Sequence, residues 1–361
     1  MFLTSDMYVP ALRWRQGEYQ ALLRLSESAK DRIVPYITIP EIEFDFEEWR
    51  PKKTVQEHVH PFVARYRAKW GVRPAWVGVH KSIVQGHMDD GRNIFEYVFG
   101  GLREFEANAV PAIFLGADEN TIRTVAAILK NDGLGVSISV RLEDLMKTDV
   151  DARVQALEST LGAEYCDTDL IVDLGAPNFE PYEVFSEALI SAFHKLSDLR
   201  EYRNVVVIGT AIPETFRAIG KGVDEIIRHD WLFYQTLLSK LPAGMRRPNF
   251  GDYTIVHPEF TAMDHRKIKS AGKIVYTTAR SWWVRKGGAF RDNPAQMHDH
   301  CAALVSKDIF KGSDYSSGDE YIAKCAARQE GPSNQPRWKD VAINHHITHV
   351  LEDLAKLGAA P

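Results

Sequence analysis

Cysteine is scarce in this sequence: Cys166, Cys301 and Cys325 are the only three, and they lie far apart. An odd number without metal-ligand spacing excludes a disulfide framework and a cysteine zinc site, and points to reduced, mostly buried thiols in a cytoplasmic protein. No apolar run approaches the roughly 20 residues needed to span a bilayer. The opening MFLTSDMYVPALRW lacks the basic start and apolar stretch of a secretion signal. A GxSxG elbow, a Walker A loop and a GxGxxG fingerprint are all missing, so the familiar serine-hydrolase, P-loop and dinucleotide signatures are too. Neither sign of charge dominates; a net charge of -5 is too small to draw the whole chain to nucleic acid or membranes.

What is present is an ordinary globular composition, 361 residues with 45% hydrophobic and 26% charged, enough for a sizeable core. Short β-branched runs recur at 8–12, 33–39, 75–79, 110–115, 135–140, 170–174, 204–208 and 253–257. Amphipathic stretches such as ENTIRTVAAILKND and EVFSEALISAFHKLSDL separate them. Strands apolar on both faces that alternate with helices indicate a parallel sheet covered by helices. Eight such units over about 260 residues predict an α/β fold of the closed (β/α)8 TIM-like class. An open doubly wound sheet is the alternative, but it would carry a glycine fingerprint after one of its strands.

After residue 258 the rhythm changes. Segments 273–278 and 281–286 read as a β-hairpin, and helices are expected near 295–306, 318–328 and 338–357. The expected division is therefore a barrel core over 1–257, and over 258–361 a hairpin with extra helices that complete and roof the barrel. In such a barrel the site forms where strands end. Reading the polar residues at the strand exits nominates Asp173, Asp252 and His257 as catalytic groups, with Arg13, Glu18, Glu41 and Arg141 as ligand contacts. Glu41, Glu43, Asp45 and Glu47 alternate with apolar residues, so in an extended chain they share a face. Such a row could hold Mg²⁺ through oxygen ligands, or be the wet side of an edge strand. Asp118 reads as a helix cap. Asp173 and Arg141 either pair with one another or contact ligand. His345 and His349, four apart on a helix, have zinc-compatible spacing, and packing of the terminal helix is the competing use.

The stretch ARSWWVRKGG at 279–288 lies in the most basic part of the chain: between residues 246 and 291 ten Lys/Arg face three acids, a local net charge of +7. Tryptophan among arginines suits a groove that neutralises phosphates and stacks bases. This adds Arg280, Trp282 and Arg285 to the ligand contacts. Period two puts Trp282 and Val284 on one strand face and Trp283 and Arg285 on the other, so one tryptophan is expected in the core and the other at the barrel rim.

Several ordered blocks, namely YVPALRWRQGEYQAL, GDYTIVHPEF, KIVYTTARSWWVRKGG, MHDHCAAL, YSSGDEYIA and NHHITHV, together resemble the phage "beta protein" family of bacteriophages and bacteria. The doubled tryptophan followed by Arg-Lys-Gly departs from the single tryptophan and Arg-Gly expected there. The resemblance implies a phage- or prophage-associated protein in a defence or phage–host conflict setting; it brings no established activity, cofactor or catalytic residue. Three functional expectations stand side by side. One is a barrel that binds a phosphorylated ligand, a nucleotide or a nucleic-acid end, with hydrolysis by a carboxylate-held Mg²⁺ or by His257 as acid/base. Another is a non-catalytic component that binds protein or nucleic acid. The third is mutual neutralisation of the acidic second-strand exit and the basic hairpin.

Overall fold

A computed structural model describes residues 1–197, 199–259 and 269–359. Among these residues lie thirteen strands: β1 (Val9–Leu12), β2 (Tyr36–Ile39), β3 (Phe44–Asp45), β4 (Arg50–Pro51), β5 (Ala75–Val79), β6 (Ala109–Phe114), β7 (Val136–Arg141), β8 (Thr168–Gly175), β9 (Asn204–Gly209), β10 (Gly222–Ile227), β11 (Asn249–Asp252), β12 (Ala271–Thr277) and β13 (Ser281–Ala289). Eight of them close in the order β1-β2-β5-β6-β7-β8-β9-β11, and β11 pairs back onto β1. Every pairing in the barrel is parallel, as strands buried on both faces require. The fold is a (β/α)8 TIM-like barrel.

The barrel is packed solid. Val9, Ala11, Trp76, Val110, Ala112, Ile171, Val206 and Ile208 fill its interior, and the other face of the same strands joins the surrounding helices in the main core. At its base Asp169 accepts hydrogen bonds from Arg203 Nε (2.9 Å) and Nη2 (2.6 Å), Asn204 Nδ2 (2.6 Å) and Trp76 Nε1 (2.6 Å). A charge so far from water is tolerable only with this full set of donors.

The eighth strand lies at Asn249–Asp252, four residues before the expected 253–257. Its polar sequence NFGD hides a strand because each polar group has a fixed structural use. Asn249 Nδ2 donates to the Thr4 carbonyl (2.7 Å), and Asp252 bonds outward to the C-terminal helix. Gly251 permits the close approach of β1: a Cβ there would sit 2.8 Å from the Val9 carbonyl oxygen.

Beyond the barrel, β12 and β13 form the expected hairpin, and β10 pairs antiparallel with β13 to make a three-stranded sheet. Gly222 begins β10. Helices Gln296–Val305 and Ser317–Ala326 and part of helix Gln335–Ala359 enclose a second apolar core with the outer face of this sheet, including Tyr276, Trp283, Met297, Cys301, Cys325 and Trp338. The long C-terminal helix also packs on helix Gln16–Leu23 and supplies Ile343, Ile347, Val350 and Leu354 to the main core. It serves as the eighth helix of the barrel. No helix among the described residues is long and apolar enough to cross a membrane.

Candidate functional site: the barrel mouth and a basic cleft

At the C-terminal ends of the strands the inward positions turn from apolar to polar. Tyr36 of β2 and Tyr253, just past β11, pack on the interior cluster and begin this layer. Asp173 near the end of β8 accepts hydrogen bonds at Oδ1 from the Tyr253 hydroxyl (2.7 Å) and the Gly175 amide (2.9 Å). Burial raises the Asp173 pKa, with the Tyr253 hydrogen bond opposing, so the acid form is favoured beyond the ordinary carboxylate range. Tyr36, held to Ser139, and Tyr253 are both pushed up by burial and by the Asp173 charge, and stay protonated donors. The arrangement can hold and move a proton at one carboxyl flanked by two phenols.

Arg141, paired with Asp173 only in strand register, makes its ion pair with Glu143 (3.8 Å). Arg13 Nη2 donates to the His257 carbonyl (2.8 Å), which ties the mouth to a neighbouring cleft that His257 helps to line.

That cleft, about 930 Å³, lies between the exits of β1, β2, β9 and β11, the inner face of the three-stranded sheet and the start of the C-terminal helix. Nine Lys/Arg and only three carboxylates line it among the described residues. The carboxylates Glu41 and Glu43 pair with Arg15 (2.8 and 3.0 Å), and Glu43 also with Lys52 (3.0 Å). Glu41 and Glu43 of the acidic second-strand exit are thus neutralised from the first strand's exit and from their own loop. On the opposite wall, Lys286 Nζ donates to the carbonyls of Phe216 and Ile219 (both 2.6 Å). Lys339 approaches Glu18 (3.7 Å) and Lys269 pairs with Asp292 (2.8 Å). Lys273 has no such partner among the described residues; its Nζ lies 4.9 Å from the centre of the Phe216 ring. Burial, then the charges of Lys339 and Lys286, lower its pKa to about 8.

The structure redistributes the residues nominated from sequence. Asp173, Arg13 and Arg141 stand at the mouth, while His257 and Glu41 line the cleft. Asp252 does not join them. It points away from the barrel axis, fully buried, bonded to the Tyr8 hydroxyl, the Thr254 amide (2.7 Å) and His346 Nε2 (2.9 Å). Asp252 is the last residue of the strand itself rather than a residue outside it, and strand alternation turns its side chain to the helix-facing side. Trp282 is fully buried in the main core beside His346, and Trp283 is buried in the second core. Neither tryptophan faces the mouth, so a stacking role for Trp282 is excluded. Arg285 turns to the outer face, where Nε donates to His300 Nδ1 (3.1 Å). Arg280 is exposed at the hairpin turn, and Glu18 is buried, closing the capping box of its own helix.

The histidine pair is also absorbed by packing: His345 bonds Asp319 (2.8 Å) and the Thr277 carbonyl (2.9 Å), and His349 Nε2 lies 3.6 Å from Asp353. Asp118 is the expected helix cap. No group of three or more His, Cys, Asp or Glu suited to a metal ion occurs among the described residues. Of the basic segment, Arg266, Lys267 and Asp264 lie outside the described residues.

Sequence reasoning missed Tyr36, Tyr253 and Lys339, and held Lys273 and Lys286 only as members of the basic segment. Only for Lys286 was there a usable signal: period two from Trp282 and Val284 puts it on the face that covers the cleft.

The model of the Beta protein family matches residues 8–352, and the chain belongs to that family. No curated protein sequence is significantly similar to it. Among solved structures, the YdjI aldolase from Escherichia coli K12 aligns over 99% of this chain and 92% of its own, at 10% identity and a TM-score of 0.33. At that likeness the barrel assignment rests on the strand pairing itself.

Proposed function

We propose that this member of the Beta protein family binds a phosphorylated ligand, a nucleotide or a nucleic-acid end, in the cleft beside its barrel mouth. One observation carries the reading: nine Lys/Arg against three carboxylates around a cleft of about 930 Å³, in a chain whose net charge is negative. Low-dielectric walls of one sign concentrate counter-charged ligands, and this volume falls in the range of small-molecule sites. The phage-associated setting implied by the sequence resemblance makes nucleic acid and nucleotides the phosphorylated candidates to try first. Where turnover follows binding, as in a hydrolase, Asp173 is the group to hold and release the proton, with His257 the imidazole between mouth and cleft.

The test is a thermal-shift titration with nucleoside mono-, di- and triphosphates, with and without Mg²⁺, at rising ionic strength. A ligand at 100 times its Kd stabilises by about 2.7 kcal/mol, and that gain shrinks with salt. Arg217→Glu with Lys53→Glu, on the exposed rim, weakens binding further. A protein that shifts with no nucleotide at any salt concentration does not have this function. Binding with no product formed selects the non-catalytic version of the same site.

A further inference from the structure

Three other lysines of the cleft wall have partners: carbonyls for Lys286, carboxylates for Lys269 and Lys339. Lys273 differs in three respects. It sits on β12 with its partly buried side chain in the cleft wall. Its amine meets no carboxylate or carbonyl among the described residues; it overlies the Phe216 ring at 4.9 Å, a cation–π contact that offsets only part of what the ammonium loses without an anionic partner. Its charged neighbours, Lys286 opposite in the sheet and Lys339 on the C-terminal helix, are both cations. Withdrawal from water and adjacent positive charge both disfavour the ammonium form, and a lysine in that state is a nucleophile.

We infer that Lys273 is a nucleophilic amine and that the cleft takes a phosphorylated aldehyde or ketone, with which Lys273 condenses to an imine. This rests on the anion-binding reading of the cleft and narrows it, because the cations that suppress protonation of Lys273 also attract the ligand's phosphate. In the reaction the lone pair of neutral Nζ attacks the carbonyl carbon. The C–N bond forms as the C=O π pair moves to oxygen, and the carbinolamine expels that oxygen as water with the two amine protons. No oxidant or reductant is consumed. The neutral fraction supports the chemistry: with its pKa at about 8, roughly a tenth of Lys273 is unprotonated at pH 7, a few hundred times the fraction of an ordinary lysine.

Pyridoxal 5′-phosphate is the probe, an aldehyde and a phosphate in one molecule. The full-length protein is incubated with it, reduced with borohydride and mapped by peptide mass spectrometry. Parallel arms use pyridoxal, which lacks the phosphate, and inorganic pyrophosphate as competitor. Lys273 is expected to carry about tenfold more label than any other lysine at pH 7.5, with a labelling rate that half-saturates near pH 8. Lys273→Arg, which keeps the charge, removes that label while its thermal melt remains cooperative. Label spread over exposed lysines such as Lys53 and Lys81, and unchanged in Lys273→Arg, overturns the inference. Pyrophosphate that stabilises the protein while Lys273 stays unlabelled also overturns it, but leaves the anion site standing. Equal labelling of Lys273 by both aldehydes, untouched by pyrophosphate, keeps the reactive amine and removes its phosphorylated ligand.

Discussion

At the scale of single residues, burial decides what each carboxyl does. Asp230 is buried at the start of helix His229–Lys240; desolvation and then the nearby Asp252 charge raise its pKa to about 7, against a smaller pull from Arg228. A carboxyl whose folded pKa exceeds its unfolded value binds more protons folded than unfolded, so stability falls as pH rises from about 4 to about 7. Asp230→Asn is therefore expected to raise the melting temperature at pH 8, by about 2 °C or more, and to change it little at pH 4. A melt series that moves equally at both pH values refutes this. Asp173 obeys the same sign, but it stands near the end of β8 at the barrel mouth. Both of its hydrogen bonds fall on Oδ1, an oxygen that an amide retains. Asp173→Asn should keep the fold, gain stability at neutral pH and lose whatever proton transfer the mouth performs, a trade expected of a functional site. Loss of stability at pH 7 would show that Asp173 is instead a structural anion.

Elements obey a different logic, because the position of a side chain on a strand or helix decides its fate more than its chemistry does. The doubled tryptophan is divided between two cores by strand alternation, and the terminal histidines are consumed by buried hydrogen bonds. Trp282→Ala is expected to cost about 3–5 kcal/mol of stability, as truncation of a buried aromatic does. Denaturant titration measures this, and a cost below about 1 kcal/mol would place Trp282 at a surface. At the opposite end of the barrel, Arg203→Met leaves Asp169 without its ion-pair partner, and loss of about 3–5 kcal/mol is expected. The seven earlier barrel strands were legible because strands buried on both faces must be apolar. The eighth was not, because NFGD spends its polar groups on contacts that are distant in sequence: Thr4 for Asn249, and Tyr8 and His346 for Asp252.

Over the whole molecule, charge is sorted by where chains converge. Arg15 from the first exit neutralises Glu41 and Glu43 from the second, which leaves the basic wall of the cleft, built from β12, β13 and the C-terminal helix, without an acidic partner wall among the described residues. Binding of a phosphorylated ligand should accordingly weaken steeply between 50 and 200 mM salt, because the attraction is spread over several partly exposed cations. Rim variants at Arg217 and Lys53 should flatten that dependence. An affinity indifferent to salt would place the ligand elsewhere.

The sequence alone determined the class of fold, since an alternation of doubly apolar strands with amphipathic helices has few ways to bury itself. It also determined that the last third departs from that rhythm, and that positive charge collects there. Only the tertiary structure decided which groups meet. Whether a side chain points into the barrel or away from it turns on where its residue falls in the alternation of a strand, and Asp252 falls on the outward face. Lys273 became singular only once Lys286, Lys339 and Phe216, drawn from three separate segments, closed around it. Proximity of this kind depends on the packing of distant segments, and local composition carries no record of it.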